Sequence, residues 1–181
     1  MTQRVKGGTV LLDEFLPSYH FSERHGLEID APPDKVFETV MRCDLSESHL
    51  VRWLFRLRNL PRGAIKLEGL ERIGFRILKV WQDREVVIGL VGRFWTLSGG
   101  IVPIRADEFE RFDAAGYAKA AFNFLLEPLD LERTALTTET RIWCTCPWSK
   151  RSFGFYWAMI RPWSGLIRRE WLRLVRRNAE R

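Results

Sequence analysis

The feature that most constrains the fold is a long amphipathic pattern in the C-terminal part of the chain. From Ser149 onward, apolar residues recur every three or four positions, which predicts one long helix with Ser149 as its N-cap. The recurring positions are Phe153, Trp157, Ile160, Ile167, Trp171 and Leu174. Pro162 lies inside the pattern and is expected to kink the helix. Such a stripe has to be covered, and the strands that precede it can supply the cover.

The residues before this helix have the alternating pattern of strands. Residues 117–127 and 134–146 predict an antiparallel pair, and residues 75–81 and 85–95 predict a hairpin with its turn at residues 82–84. Residues 101–104 predict one further short strand. The connections are short enough for an antiparallel meander.

The N-terminal part predicts a strand followed by two short helices. Residues 19–29 form the predicted strand. Pro33 is expected to begin a helix, because the amide hydrogen that proline lacks has no partner in the first turn of a helix. Asp44 and Glu47 form a capping-box pattern for the second helix, which Pro61 and Gly63 end. The resulting order predicts an α+β protein in which an antiparallel sheet packs on the long C-terminal helix.

Composition excludes several classes of protein. The chain has 181 residues, of which 46% are hydrophobic, so it can build a packed core and is not disordered. The longest uncharged stretch has 11 residues, whereas a membrane-spanning helix needs about 17–25. With no secretory pattern at the start, we expect a cytoplasmic protein whose cysteines are reduced. We expect one domain over residues 19–181, preceded by a lead-in over residues 1–18 that carries the apolar residues Leu11, Leu12, Phe15 and Leu16.

Several segments resemble a known family. The strand, Ala-Pro and helix opening at residues 27–37 (LEIDAPPDKVF) is similar to the start of bacterial members of the SRPBCC superfamily, also called START-like or Bet v 1-like. The segments at residues 89–95, 118–124, 137–141 and 161–169 resemble a bacterial, polyketide cyclase-like branch whose members are mostly of unassigned function. The resemblance extends from about residue 19 to the C-terminus. It implies a helix-grip fold, in which a curved antiparallel sheet wraps around the long helix.

The resemblance also implies a binding cavity between the sheet and the long helix. Relatives include polyketide cyclases, lipid-transfer domains and plant hormone receptors, and a fold shared so widely does not select one function. We expect a hydrophobic or amphipathic small molecule, such as a lipid or a polyketide-like compound, held by a carrier or sensor rather than by an enzyme. Strand parity and helix spacing select the lining residues Leu90, Phe94, Phe122, Phe124, Ile142, Cys144, Tyr156, Trp157 and Ile160.

Polar residues of the opposite strand parity allow two interpretations. In the first, Lys119, Glu139 and Arg141 form a solvated charge ladder on the convex face of the sheet. In the second, a bulge at Gly89 or Gly92 reverses the parity and turns polar side chains toward the ligand. The candidates for that role are Arg93, Asn123 and Arg141, with Glu139 as the candidate acid or base of a cyclase-like or hydrolase-like enzyme.

Other chemistry has little support in the sequence. Cys144 and Cys146 could share a metal, but no further paired ligands stand near them, so we expect two core residues and no metal. The glycines lack nucleotide-binding spacing, and no cofactor is expected. His20, His25 and His49 are expected to be surface or packing residues.

The C-terminal end of the helix allows one further interpretation. Residues 161–181 contain seven arginines and two glutamates, out of a net charge of +6 for the whole chain. Arg168, Arg169, Arg173, Arg176 and Arg177 form either a solvated face or a surface that binds anionic membranes. Nucleic acid is not an expected partner.

Overall fold

The computed structural model describes residues 10–43, 74–96 and 99–181. Their centre is a curved, five-stranded antiparallel sheet with the strand order β1-β5-β4-β3-β2. The strands are β1 (Phe21–Ile29), β2 (Arg76–Trp81), β3 (Glu85–Gly92), β4 (Ala118–Pro128) and β5 (Thr134–Cys144). The turn between β2 and β3 contains Asp83, whose φ of 57° lies in the left-handed region that Asp tolerates. The long C-terminal helix packs on one face of this sheet, which confirms the predicted α+β, helix-grip architecture.

The described helices are α1 (Leu11–Phe15), α2 (Pro33–Arg42), α3 (Ala106–Phe109) and α4 (Pro147–Ala179). The 33-residue α4 lies across β1, β5 and β4, and α2 packs beside it against β4. It continues as one helix through Pro162. None of the helices in the described ranges is long and apolar enough to cross a membrane.

Strand alternation gives the sheet two differently covered faces. On the face toward α4, the even-numbered residues of β3 and β4, including Val86, Ile88, Phe122 and Phe124, form one core with Trp171. Closer to the start of α4, a second core joins Ala118, Ile142 and Cys144 to Phe153 and Trp157. The helix-facing rows are those expected from strand parity, because the register between β3 and β4 is continuous from Glu85 to Gly92.

The other face of the sheet is also covered. The segment around α1 places Leu11, Leu12, Phe15 and Leu16 against residues such as Val87, Val91 and Ala121, and Phe109 of α3 completes this core. The carboxylate of Glu85, fully buried, accepts hydrogen bonds from the backbone N–H groups of Leu11 and Leu12. The N-terminal segment is therefore part of the packed structure from residue 10 onward.

Two local elements differ from the sequence prediction, and a third lies outside the described residues. The N-cap of α4 is Cys146 and not Ser149, because Pro147 begins the helix and the Cys146 sulfur accepts the N–H of Ser149. Residues 101–104 do not form a strand, since only a single bridge joins Val102 to Val91. The predicted second short helix lies in residues 44–73, outside the described residues, as does His49.

Candidate functional site

Two ionisable side chains of β1 face the helix rather than the solvent. Glu23 and His25 have the same parity as the apolar residues Phe21 and Leu27, so the strand turns them inward. Their side chains are only 11% and 13% exposed, and Glu23 Oε1 lies 3.1 Å from His25 Nε2. His25 pairs across the sheet with Thr138 of β5, which is buried on the same face.

Helix α4 approaches this pair of residues at a glycine. A Cβ atom on Gly165 would lie 2.5 Å from Glu23 Oε1 and 3.2 Å from His25 Nε2, so any larger residue would displace these groups. Glycine in a helix interior costs about 0.5–1 kcal/mol relative to alanine. Its position here allows the helix backbone to lie directly over the Glu23 and His25 side chains.

One turn further along α4, a cation points into the same space. The guanidinium carbon of Arg168 lies 3.8 Å from the centre of the Phe122 ring, in cation–π contact. Burial lowers the pKa of Arg168 to about 10, and the charge of Glu23 opposes that shift. Arg168 therefore remains a cation at neutral pH, next to a carboxylate and an aromatic face.

Several polar atoms in this region are buried without a hydrogen-bond partner among the described residues. They are Glu23 Oε2, His25 Nε2, Thr138 Oγ1, Arg168 Nη1 and Trp171 Nε1. His25 Nε2 lies 3.1 Å from Glu23 Oε1, but the two atoms do not have the geometry of a hydrogen bond. A buried polar atom without a partner costs about 1–3 kcal/mol, and most native proteins satisfy nearly all such atoms. We refer to Glu23, His25, Thr138, Arg168 and Trp171 as the buried polar cluster. The cluster contains both donors and an acceptor, so it can bind a group that donates and accepts.

The predicted apolar lining surrounds this cluster on both sides. Phe122 and Phe124 belong to the core that includes Trp171, while Ile142, Cys144 and Trp157 belong to the adjoining core with Phe94, Tyr156 and Ile160 against it. Leu90 is buried on β3 and pairs with Ala120 of β4, so it has the same parity. All nine predicted lining residues thus lie on the helix side of the sheet or on α4 itself.

The predicted polar residues lie elsewhere. Arg93 is exposed beyond the end of β3, with its guanidinium over the ring of Tyr117. Asn123 is buried on the outer face, where its amide donates to Glu85 Oε1 at 2.7 Å. Arg141 donates to Glu139, to Asp13 and to the carbonyl of Leu16. The bulge expected at Gly89 or Gly92 is absent from the described strands, since the irregularity lies in β2 between Ile77 and Lys79.

The alternative of a solvated charge ladder is also wrong. Lys119 and Arg141 are only 7% and 8% exposed, because the N-terminal segment and the residues around α3 cover the outer face. Lys119 donates to the carbonyl of Glu110, and burial lowers the pKa of its ammonium group. A cavity of about 300 Å³ lies beside it, lined by Glu14, Phe15, Leu16, Pro17, Ser18, Glu110, Lys119 and Trp143. These polar groups attach the N-terminal segment to the sheet, on the face opposite the buried polar cluster.

His20, His25 and Arg168 lie in different environments. His20 accepts the N–H of Cys144 and stacks on Trp143 at 4.3 Å, which is the packing role expected for it. His25 instead belongs to the buried polar cluster, and so does Arg168, which was grouped with the outward arginines. The missed signal was periodicity: Glu23 and His25 interrupt an apolar strand face, and Arg168 stands three residues before Trp171 on the apolar stripe of α4.

The cysteines differ in their chemical environment. In the described part of the chain, no three His, Cys, Asp or Glu side chains are grouped so that they could hold a metal ion. Burial raises the pKa of the Cys144 thiol to about 12. Hydrogen bonds from Ser149 lower the pKa of Cys146, which is partly exposed at the start of α4.

We expect iodoacetamide to alkylate Cys146 first in the native protein. The thiolate is the reactive form, and it is favoured at Cys146 but disfavoured at Cys144, while Cys43 is also buried. Peptide mass spectrometry after brief labelling at mildly alkaline pH would give the order of modification. A Cys146→Ser variant should resist labelling until it unfolds. Equal labelling of all three cysteines in the native protein would contradict the assigned environments.

Comparisons with known proteins give structural matches only. No family model matches the chain, and no curated protein matches it. A conserved protein from Geobacillus kaustophilus matches with a TM-score of 0.48 and 11% identity, covering 88% of this chain and 95% of that one. A hypothetical protein from Helicobacter pylori matches with a TM-score of 0.45 and 11% identity over 99% of each chain. An aromatase/cyclase from Streptomyces sp. R1128 matches with a TM-score of 0.31 and 15% identity, covering 89% of this chain and 94% of that one.

Proposed function

We propose that this protein is a member of the SRPBCC superfamily that binds an amphipathic small molecule, of the lipid or polyketide class, between the sheet and α4. The observation that supports the proposal is the buried polar cluster, whose five unpartnered polar atoms lie among apolar side chains. A ligand with a polar end would satisfy these atoms, and its apolar part would remove further apolar surface from water.

The cluster also defines the chemistry of the polar end. Arg168 and Trp171 can only donate hydrogen bonds, whereas the free oxygen of Glu23 accepts them. A matching ligand therefore carries both an acceptor, such as a carbonyl or phenolate oxygen, and a donor, such as a hydroxyl. The proposed apolar contacts are the nine lining residues named above. Carriage or sensing requires no more than these contacts, and is the role we propose.

The first test is native mass spectrometry of protein purified from its own host, followed by denaturing extraction of any compound that it carries. The compound would then be titrated against wild type, Arg168→Gln and Arg169→Gln. These neighbouring arginines differ in direction, since Arg169 is exposed while Arg168 has a buried guanidinium nitrogen. We expect Arg168→Gln to bind about tenfold to a hundredfold more weakly, because a hydrogen bond to a charged group is worth about 1.5–3 kcal/mol.

The control for this experiment is Arg169→Gln. Arg169→Gln removes the same charge from the outward face and should bind like wild type. Equal affinities of wild type and Arg168→Gln would contradict the placement of the polar end. A protein that carries no compound, and whose melting temperature neither oleate nor hydroxylated naphthyl ketones raise, would contradict the proposal itself.

A further inference from the structure

The outward face of α4 has an unusual composition in its first half. Trp148, Phe155, Met159 and Trp163 are 61%, 76%, 68% and 48% exposed. Their spacings of seven, four and four residues place them on one stripe of the helix. The opposite side of the helix holds Phe153 and Trp157, which pack on the sheet. Large exposed apolar residues are ordinary when scattered singly, but four of them on one helix face, with the Trp148 ring also against Trp95 at 6.3 Å, indicate a contact surface.

Most of the charges around this row are positive. Residues 147–169 contain no Asp or Glu, and Arg151 and Arg169 are exposed at positions that flank the row. The exposed Lys150 and Arg161 lie on other sides of the helix. Arg173, Arg176 and Arg177 continue the basic character on the following turns, where Glu170 pairs with Arg173 at 3.7 Å. Arg168 does not belong to this surface, because its guanidinium lies over Phe122 on the sheet side.

We infer that the outward face of α4 docks on an anionic lipid bilayer. Tryptophan prefers the boundary between lipid headgroups and acyl chains, and Phe and Met add apolar area that can enter it. The flanking cations would lie at the level of the lipid phosphates, where each contributes attraction to an anionic surface. We name Trp148, Phe155, Met159 and Trp163, with their exposed basic flank, the docking stripe.

The charge pattern separates this occupant from the other candidates. In a symmetric contact between two copies of the chain, the row of one copy would face the equivalent row of the other. The basic residues of the two copies would then lie close together and repel each other. A nucleic acid would use the cations but would leave the exposed Phe155 and Met159 without an apolar partner. A bilayer of anionic lipid offers both an apolar layer and a negative surface. This inference uses none of the residues of the buried polar cluster.

Vesicle co-sedimentation tests the inference with the full chain. Wild type should bind vesicles in which about a third of the phosphatidylcholine is replaced by phosphatidylserine, and binding should fall as salt rises. Phe155→Ser with Met159→Ser should weaken binding about tenfold or more, and so should Arg151→Glu with Arg169→Glu. All four positions are exposed, so the variants should fold like wild type, which circular dichroism and thermal melting would check.

Two matched controls give the result its specificity. Leu131→Ser changes an apolar residue that is 88% exposed in the loop between β4 and β5 and should bind like wild type. Arg24→Glu with Arg111→Glu changes the net charge as much as the stripe variant does, at exposed positions on β1 and after α3, and should bind nearly as well as wild type.

Three outcomes would overturn the inference. The first is equal loss of binding in the stripe and control variants, which would indicate attraction to net charge alone. The second is a salt-independent dimer in solution that Phe155→Ser abolishes, which would assign the stripe to a second copy of this chain. The third is the absence of binding to anionic vesicles. Arg168→Gln should sediment with vesicles like wild type, so failure of the ligand proposal and failure of this one can be told apart.

Discussion

Replacing Glu85 with alanine is expected to lower the free energy of unfolding by about 3–5 kcal/mol. The Glu85 carboxylate is fully buried and accepts three hydrogen bonds, from the N–H groups of Leu11 and Leu12 and from the side-chain amide of Asn123. Alanine would leave these donors without their acceptor. Urea denaturation at neutral pH would measure the loss, and hydrogen exchange should show that the Leu11 and Leu12 amides lose protection first.

Two variants separate the parts of this effect. Glu85→Gln keeps the size of the side chain, but it turns one acceptor oxygen into an NH₂ group that faces donors, so an intermediate loss of about 1–2 kcal/mol is expected. Glu14→Gln changes an exposed carboxylate on the same segment, which pairs with Lys79 at 2.6 Å, and should cost less than about 1 kcal/mol. Equal losses for Glu85→Ala and Glu14→Gln would contradict the role assigned to Glu85.

The Glu85 variants should also respond differently to pH. Burial raises the pKa of Glu85 above its ordinary value, so the folded protein keeps this proton over a range in which the unfolded chain has lost it. The corresponding stability is fully present below the ordinary pKa and is lost as pH rises through the raised pKa. Wild type should therefore gain stability relative to Glu85→Gln as the pH is lowered through this interval.

The helix side of the sheet could be predicted because its signals are local. Phe122 and Phe124 stand on one parity of β4 with Asn123 between them, and Phe153, Trp157 and Trp171 repeat at helical spacing on α4. A period of two and a period of about 3.6 fix the inward faces before any contact is known. The structure brings these faces together as the pattern predicts.

The covering of the outer face could not be predicted in the same way. The contact of Arg141 with Asp13 joins residues 128 positions apart, and the contact of Glu85 with Leu11 joins residues 74 apart. A strand with charged residues at alternate positions has the same sequence pattern whether its polar face contacts water or a distant segment of the chain. The apolar residues of the N-terminal segment showed that it could pack, but their pattern did not show where.

The buried polar cluster could be predicted only in part. The inward direction of Glu23 and His25 follows from the sequence, since they share the strand parity of Phe21 and Leu27. The pattern does not predict the burial of Arg168, because that burial depends on the close approach of α4 to β1 at Gly165. Polar residues that break an apolar face are a local inconsistency, and such inconsistencies tend to mark functional sites.

Replacing Trp171 with alanine is the second change with a large expected effect, a loss of about 3–5 kcal/mol in the free energy of unfolding. Trp171 is only 3% exposed, and its ring centre lies 4.8 Å from that of Phe124 and 6.1 Å from that of Phe122. Alanine would leave a cavity between α4 and the middle of the sheet. Chemical denaturation would measure the loss, and Trp163→Ala provides the control on the exposed side of the same helix, where a change within about 0.5 kcal/mol is expected.

Trp171→Phe separates the packing of this residue from its place in the ligand site. Phenylalanine keeps an aromatic ring against Phe124 and should cost less than alanine does, but it removes the indole N–H that lies in the buried polar cluster. We expect this variant to fold and to bind the extracted ligand more weakly than wild type. Unchanged affinity in a folded Trp171→Phe protein would show that the indole N–H does not contact the ligand. Trp163→Ala should show the reverse pattern, with normal ligand affinity and weakened binding to anionic vesicles, because that residue belongs to the docking stripe.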